Sequence, residues 1–159
     1  MTKKNKIPYA WHDPAIREEV FALADQLMHP ETSQPLKEME AGEDLDIWVT
    51  NVLDTPFQPY SEDGDAVLFG LQELAKKFDY VGMTFFRNTS KFDPKLGTCI
   101  DLPKEEYTET WSLGLPGMLE GVLISQSETD LKVAFCKGVI WAVFCYEEFE
   151  KREKELSQP

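Results

Sequence analysis

The chain has 159 residues and a formal net charge of −13, so it is too acidic to attract nucleic acid or an anionic membrane surface. Its hydrophobic content of 42%, with 12% aromatic residues, is too high for a disordered chain. A chain of this length can bury a core of its own, so we expect one acidic globular domain over residues 1–159 with cationic partners.

The N-terminal segment and the cysteines indicate the compartment. Residues 1–9 are basic but lack the apolar run of a signal peptide, and no stretch is long and apolar enough to cross a bilayer. The three cysteines are Cys99, Cys136 and Cys145, and the last two lie in apolar surroundings. We expect these two to be buried thiols in a reducing compartment, with a disulfide or a reactive thiol as the alternative. The sequence thus predicts a cytoplasmic protein.

The first predicted element is an amphipathic helix. Asp13 followed by Pro14 is a helix-start signal, and apolar residues recur at helical spacing as far as Leu27, which predicts a helix over 14–28. Residues 30–44 are rich in proline and acid, so they are expected to form an exposed connection.

The next segments are less regular. Residues 46–53 are β-rich in composition and fit either a strand or a short helix. Residues 57–60 form a proline-stiffened loop. Asp65 is expected to cap a second helix that runs to Lys77. The apolar stripe of this helix consists of Val67, Leu68, Leu71, Leu74, Ala75 and Phe78.

The C-terminal half is predicted to supply an antiparallel sheet, because its apolar runs are short and rich in β-branched and aromatic residues. Strands are expected over 80–87, 121–125, 131–136 and 139–146, the second and third forming a hairpin. The last run also suits a buried helix. A polar loop is expected over 88–97, a turn over 113–117 and a charged helix over 147–156. The predicted fold class is α+β, with helices flanking a mainly antiparallel sheet.

No catalytic or metal-binding pattern is recognisable. The two histidines, His12 and His29, bracket the first helix about 20 Å apart along its axis, so they are not expected to share a site. No nucleophile motif surrounds a cysteine. Residues 62–73 fail as a calcium loop because their glycine stands at the third place instead of the sixth. We therefore predict no cofactor, no metal and no enzymatic activity.

Acidic residues are concentrated between Glu31 and Asp65, where ten acids are opposed by one base, Lys37. Because interfaces use aromatic anchors and steering carboxylates, this segment is interpreted as a docking surface for a basic protein. The alternative is that the acids only solvate the surface and the aromatic residues belong to the core. The candidate partner-binding residues are Glu38, Glu40, Glu43, Asp44, Asp46, Trp48, Phe57, Tyr60, Glu62, Asp63 and Asp65.

In overall character this small acidic chain, with aromatic residues set among its acids, resembles the immunity proteins of bacterial toxin systems. Those proteins bind and neutralise a cognate toxin domain, often a basic nuclease. The resemblance implies that the acidic segment occupies the cationic groove of a toxin. Two other functions stay open. One is a DNA-mimicking or regulatory protein that binds a nucleic-acid-binding factor, and the other is a small enzyme using Cys99, Glu105, Tyr107 or His12.

Overall fold

A computed structural model of the chain describes residues 12–116 and 122–157, and these form four α-helices and five β-strands. The predicted α+β class is confirmed. Predictions that concern residues 1–9, Gly117 and Gly121 fall outside the described residues. The helices are α1 (Pro14–Ala24), α2 (Glu43–Leu53), α3 (Gly64–Ala75) and α4 (Leu131–Leu156). The strands are β1 (Gly82–Asn88), β2 (Ser90–Asp93), β3 (Thr98–Asp101), β4 (Thr108–Pro116) and β5 (Val122–Glu128).

Helix α1 begins as predicted and ends one turn early. The Asp13 carboxylate accepts a hydrogen bond from the Ala15 N–H at 2.9 Å, and Pro14 occupies the first turn. The chain leaves the helix after Ala24 because it folds back into a tight loop, in which the His29 N–H donates to the Gln34 carbonyl at 2.8 Å.

Residues 46–53, which fit either a strand or a short helix, belong to helix α2, so the helical interpretation is correct. Leu45, Val49 and Leu53 are buried at a spacing of four residues, which places one apolar stripe against the core. The segment is helical despite its β-rich composition, because packing of this stripe against the core outweighs intrinsic propensity. Asp54 ends the helix in the left-handed conformation, at a φ of 54°.

Helix α3 confirms the second predicted helix with a different cap. Asp63, and not Asp65, is the N-cap residue, and its carboxylate accepts a hydrogen bond from the Asp65 N–H at 2.9 Å. The helix ends at Ala75, and Leu68 lies outside the buried stripe because its side chain faces solvent.

Three strands form an antiparallel sheet in the order β1-β4-β5. The strand predicted over 80–87 is confirmed as β1, where Phe85 pairs with Trp111 of β4. The turn predicted over 113–117 is wrong for the residues described, since β4 continues to Pro116. Glycine and proline are tolerated here because Gly114 lies at an irregularity of the ladder and Pro116 is the last residue of its strand.

Strands β2 and β3 form a separate hairpin in which Phe92 pairs with Cys99. The polar loop predicted over 88–97 is therefore wrong. Its polar residues form the turn of the hairpin: the Gly97 N–H donates to the Asp93 carbonyl at 2.9 Å, and Gly97 has a φ of 69°.

Helix α4 replaces two predicted strands, 131–136 and 139–146. The hairpin predicted between 121–125 and 131–136 is also wrong, because β5 pairs with β4 instead. Asp130 caps the helix by accepting hydrogen bonds from the Lys132 and Val133 N–H groups at 2.8 and 3.1 Å. All residues over 133–142 are buried, so this part of the sequence lacks the exposed polar face whose spacing would have predicted a helix. The charged helix predicted over 147–156 is confirmed as its C-terminal end.

The core is built around α4, which contacts the sheet through β4 and β5 and contacts α1, α2 and α3. Cys136 and Cys145 are fully buried in this core, as predicted, and burial raises the pKa of both thiols. Among the described residues, no helix is long and apolar enough to cross a membrane.

Candidate functional site

Seven of the predicted partner-binding acids are exposed, and two segments of the chain carry them. One segment precedes and begins α2, and the other precedes and begins α3. We call this set of residues the acidic face. Its members are Glu38, Glu40, Glu43, Asp44, Glu62, Asp63 and Asp65.

A buried polar link holds the two segments side by side. The Asp46 carboxylate accepts a hydrogen bond from the Ser61 N–H at 2.7 Å, and the Ser61 hydroxyl oxygen accepts one from the Gly42 N–H at 2.9 Å. Asp46 and Ser61 are both buried. Because Gly42 and Ser61 directly precede Glu43 and Glu62, the link places the two groups of carboxylates next to each other.

The burial of Asp46 corrects one predicted site residue. Its carboxylate is occupied inside the protein by the Ser61 N–H, so it is not a docking contact. Asp46 also lies in the first turn of α2, where a carboxylate is favoured by the helix dipole. Its role is therefore to position the acidic face.

An open groove of about 550 Å³ runs along the acidic face at the start of α2. Four acidic residues are among those that line it, Glu38, Glu40, Glu43 and Asp44. Among the described residues, none of these four acids forms an ion pair. Their charge is therefore available to a cationic partner.

Lys137 of α4 supports the segment that forms this groove. Its side chain is 4% exposed, and its ammonium group donates to the Lys37 carbonyl at 2.9 Å and to the Glu128 carboxylate at 3.1 Å. The first contact holds the short 3-10 turn Leu36–Glu38 against the core. Burial alone would raise the pKa of Glu128, but hydrogen bonds from Lys137 and Thr129 outweigh it and hold that pKa below its usual value.

The three predicted aromatic anchors have different surroundings. Tyr60 is 0% exposed, its ring packs on Phe135 and its hydroxyl shares a hydrogen bond with the Thr55 hydroxyl at 2.8 Å. Tyr60 is therefore a core residue, and burial raises the pKa of its phenol. Phe57 is 54% exposed, and Trp48 is half-buried, so these two residues stay available to a partner.

Trp48 lines a pocket of about 90 Å³ beside α2. Asp44 lines the same pocket, so this part of the acidic face lies next to an aromatic residue. Sequence reasoning misses the remaining residues of the pocket because they come from two segments that only the fold brings together. They are His29, Pro30, Glu31, Ile47 and Asn51.

One of the residues considered for a small enzyme, Tyr107, lines a cavity together with Arg87, Lys104, Glu109 and Thr129. The other three, Cys99, Glu105 and His12, are not among the residues that line this cavity. Within residues 12–116 and 122–157, no group of three His, Cys, Asp or Glu side chains is arranged to hold a metal ion.

Comparison of the chain with models of protein families, with curated proteins and with solved structures found no match.

Proposed function

We propose that the chain is a non-enzymatic binding module that holds a basic protein on its acidic face, and that it serves as an immunity protein for a bacterial toxin domain. The buried link from Asp46 through Ser61 to Gly42 is the observation that carries this proposal. Carboxylates that merely solvate a surface need no buried support that fixes their relative positions.

The physical logic is electrostatic steering onto a pre-organised surface. A net charge of −13 attracts a cationic partner from a distance, and oriented carboxylates raise association rates from about 10⁵–10⁶ M⁻¹s⁻¹ towards 10⁸ M⁻¹s⁻¹ or more. A toxin that cleaves nucleic acid presents a cationic groove to its substrate. An acidic face that occupies this groove neutralises the toxin without chemistry of its own.

The test uses the protein encoded by a toxin-like reading frame next to the gene for this chain. We expect direct binding, with an association rate that falls as salt rises, because exposed charges are screened over about 8–10 Å near physiological ionic strength. A variant with Glu40, Glu43, Glu62 and Asp63 changed to Lys should associate at least about tenfold more slowly.

The matched control reverses four exposed acids outside the acidic face, Glu105, Glu106, Glu147 and Glu150. Both variants change the net charge equally, so only the position of the reversed charges differs. Thermal unfolding of both variants separates weak binding from unfolding. An equal loss in the two variants would mean that net charge alone acts, and failure of the neighbouring gene product to bind would reject the immunity role.

A further inference from the structure

The pocket beside Trp48 has the size of one side-chain head group. Its volume of about 90 Å³ would hold about three waters at the liquid volume of about 30 Å³ each. Sites for drug-sized ligands or cofactors measure about 300–1,000 Å³, so this pocket is too small for them. The half-buried Trp48 ring forms one wall, next to the exposed side chain of Ile47.

Two acidic residues line this pocket, Glu31 and Asp44. Neither forms an ion pair with a described residue, and both side chains are exposed. They lie on different elements, the loop after α1 and the first turn of α2. An aromatic ring flanked by two carboxylates is an environment that favours a cation and disfavours an anion.

His29 keeps the pocket in shape. Its ring is 6% exposed and lies edge-on to Trp48, with ring centroids 5.4 Å apart. Its Nδ1 accepts hydrogen bonds from the Glu31 and Thr32 N–H groups, both at 3.2 Å. A neutral imidazole that accepts at Nδ1 carries its proton on Nε2. No hydrogen bond joins Nε2 to an acceptor among the described residues.

We propose that this pocket receives the guanidinium group of an arginine side chain presented by the basic partner. A planar guanidinium stacks on an indole ring and donates along its edge to carboxylates, which a compact ammonium does less well. The His29 Nε2–H then donates to a backbone carbonyl of the same partner segment. The inference depends on the proposed function for the identity of the partner, whereas the pocket itself can be tested without a partner.

The probe is N-acetyl-arginine methylamide, and its neutral isostere N-acetyl-citrulline methylamide is the matched control. Binding is followed through the NMR signal of the Trp48 indole N–H, which is assigned by its loss in Trp48→Phe. We expect the arginine probe to shift this signal saturably, and the citrulline probe to bind at least about fivefold more weakly because it lacks the charge. N-acetyl-lysine methylamide should also bind more weakly than the arginine probe.

Two substitutions locate the site, and one acts as control. Asp44→Asn and Glu31→Gln should each weaken the arginine probe about fivefold, while Glu150→Gln, at an exposed acid of α4 outside both the pocket and the acidic face, should leave its affinity unchanged. Equal binding of the citrulline or lysine probe would overturn the arginine assignment, as would a loss of affinity in Glu150→Gln equal to that in Asp44→Asn.

The two proposals fail in different ways. If the arginine probe does not bind but reversal of Glu40, Glu43, Glu62 and Asp63 still slows association with the toxin, the acidic face is a docking surface without this anchor. If the probe binds as expected but the same reversal has no effect, the pocket is an arginine site and the docking proposal is wrong.

Discussion

Two regions of the molecule differ strongly in side-chain burial. One is the pair of helices that carry the acidic face, and the other is the hairpin of β2 and β3. In α2 the apolar stripe of Leu45, Val49 and Leu53 is inaccessible to solvent. In the hairpin no residue is buried, and Phe92 and Leu96 are 62% and 66% exposed. A two-stranded hairpin without a packed face has marginal stability in water.

This difference shows which part of the molecule can hold charges in fixed positions. The acidic face is attached to buried groups at Asp46, Ser61 and Lys137, which fix the backbone positions that carry its carboxylates. A pre-organised surface loses less conformational entropy on binding. The hairpin, in contrast, contributes no buried side chain to the core. We therefore expect the helical region to be rigid and the hairpin to be open.

The largest expected difference is in thiol reactivity. Cys99 is exposed on β3, whereas Cys136 and Cys145 are 0% exposed in α4, where burial also raises the pKa of both thiols. A thiol reagent should label one cysteine quickly in the native protein and all three in denaturant. The two buried thiols should react at least about 10³-fold more slowly, since they require opening of the core.

The variant Cys99→Ser shows which cysteine accounts for the fast labelling. It should remove the fast phase of the reaction and leave the slow phases unchanged. Rapid native labelling of Cys136 or Cys145 would mean that α4 opens easily. The contrast between a rigid helical region and an open hairpin would then be wrong.

A smaller effect is expected from Lys137→Met. Breaking a buried ion pair costs about 3–5 kcal/mol, and we expect the lower end, about 3 kcal/mol at neutral pH, because Glu128 is partly exposed. The control Lys151→Met removes an exposed lysine of the same helix and should change the free energy of unfolding by less than about 0.5 kcal/mol. Urea unfolding measures both values.

The pH dependence of the same pair has a definite sign. The pKa of Glu128 is lower in the folded protein than in the unfolded chain, so its contribution to stability is present above the unfolded value of about 4.3. That contribution is lost as the pH falls through the lowered folded pKa. The difference between the wild type and Lys137→Met should therefore shrink below about pH 4.3, and a difference that is constant or grows on acidification would contradict the ion pair.

The sequence predicts the fold class, α1, α3 and β1, because caps and regular apolar spacing are local signals. It fails at α4 for a physical reason. Residues 133–142 are all buried, so no exposed polar face marks the helical period in this part of the sequence. Its β-branched residues nevertheless adopt a helix, because tertiary packing overrides their intrinsic propensity. Lys137 and Gly138 resemble a turn, yet Lys137 is buried in the helix, where it donates to the Glu128 carboxylate and to the carbonyl of Lys37, a hundred residues away in the chain.

The candidate site is predictable only in part for a similar reason. The local concentration of acid identifies the acidic face, but exposure of an aromatic residue depends on distant contacts. Tyr60 directly follows Pro59 in an acidic segment and is nevertheless buried against Phe135. His29 and Glu31 join Trp48 only because the chain turns back after α1.

The smallest expected effect concerns one methyl group in the helical region. Gly70 of α3 faces two buried aromatic rings, and a Cβ atom there would lie 2.5 Å from the Phe135 Cζ and 3.0 Å from the Tyr60 Cε1. Both side chains are 0% exposed, so a shift of either ring would disturb other side chains of the core. Overpacking of this kind costs about 1–3 kcal/mol, partly offset by the better helix propensity of alanine, so Gly70→Ala should destabilise the protein by about 1–2 kcal/mol.

Gly64→Ala is the matched control, because Gly64 begins the same helix and a Cβ atom there would meet nothing within 4 Å. It should unfold at the same denaturant concentration as the wild type or slightly higher. If Gly70→Ala were as stable as Gly64→Ala, α3 would be able to move away from α4 at little cost. The acidic face would then lack the rigid support that distinguishes it from the hairpin, and its carboxylates would be oriented only after a partner binds.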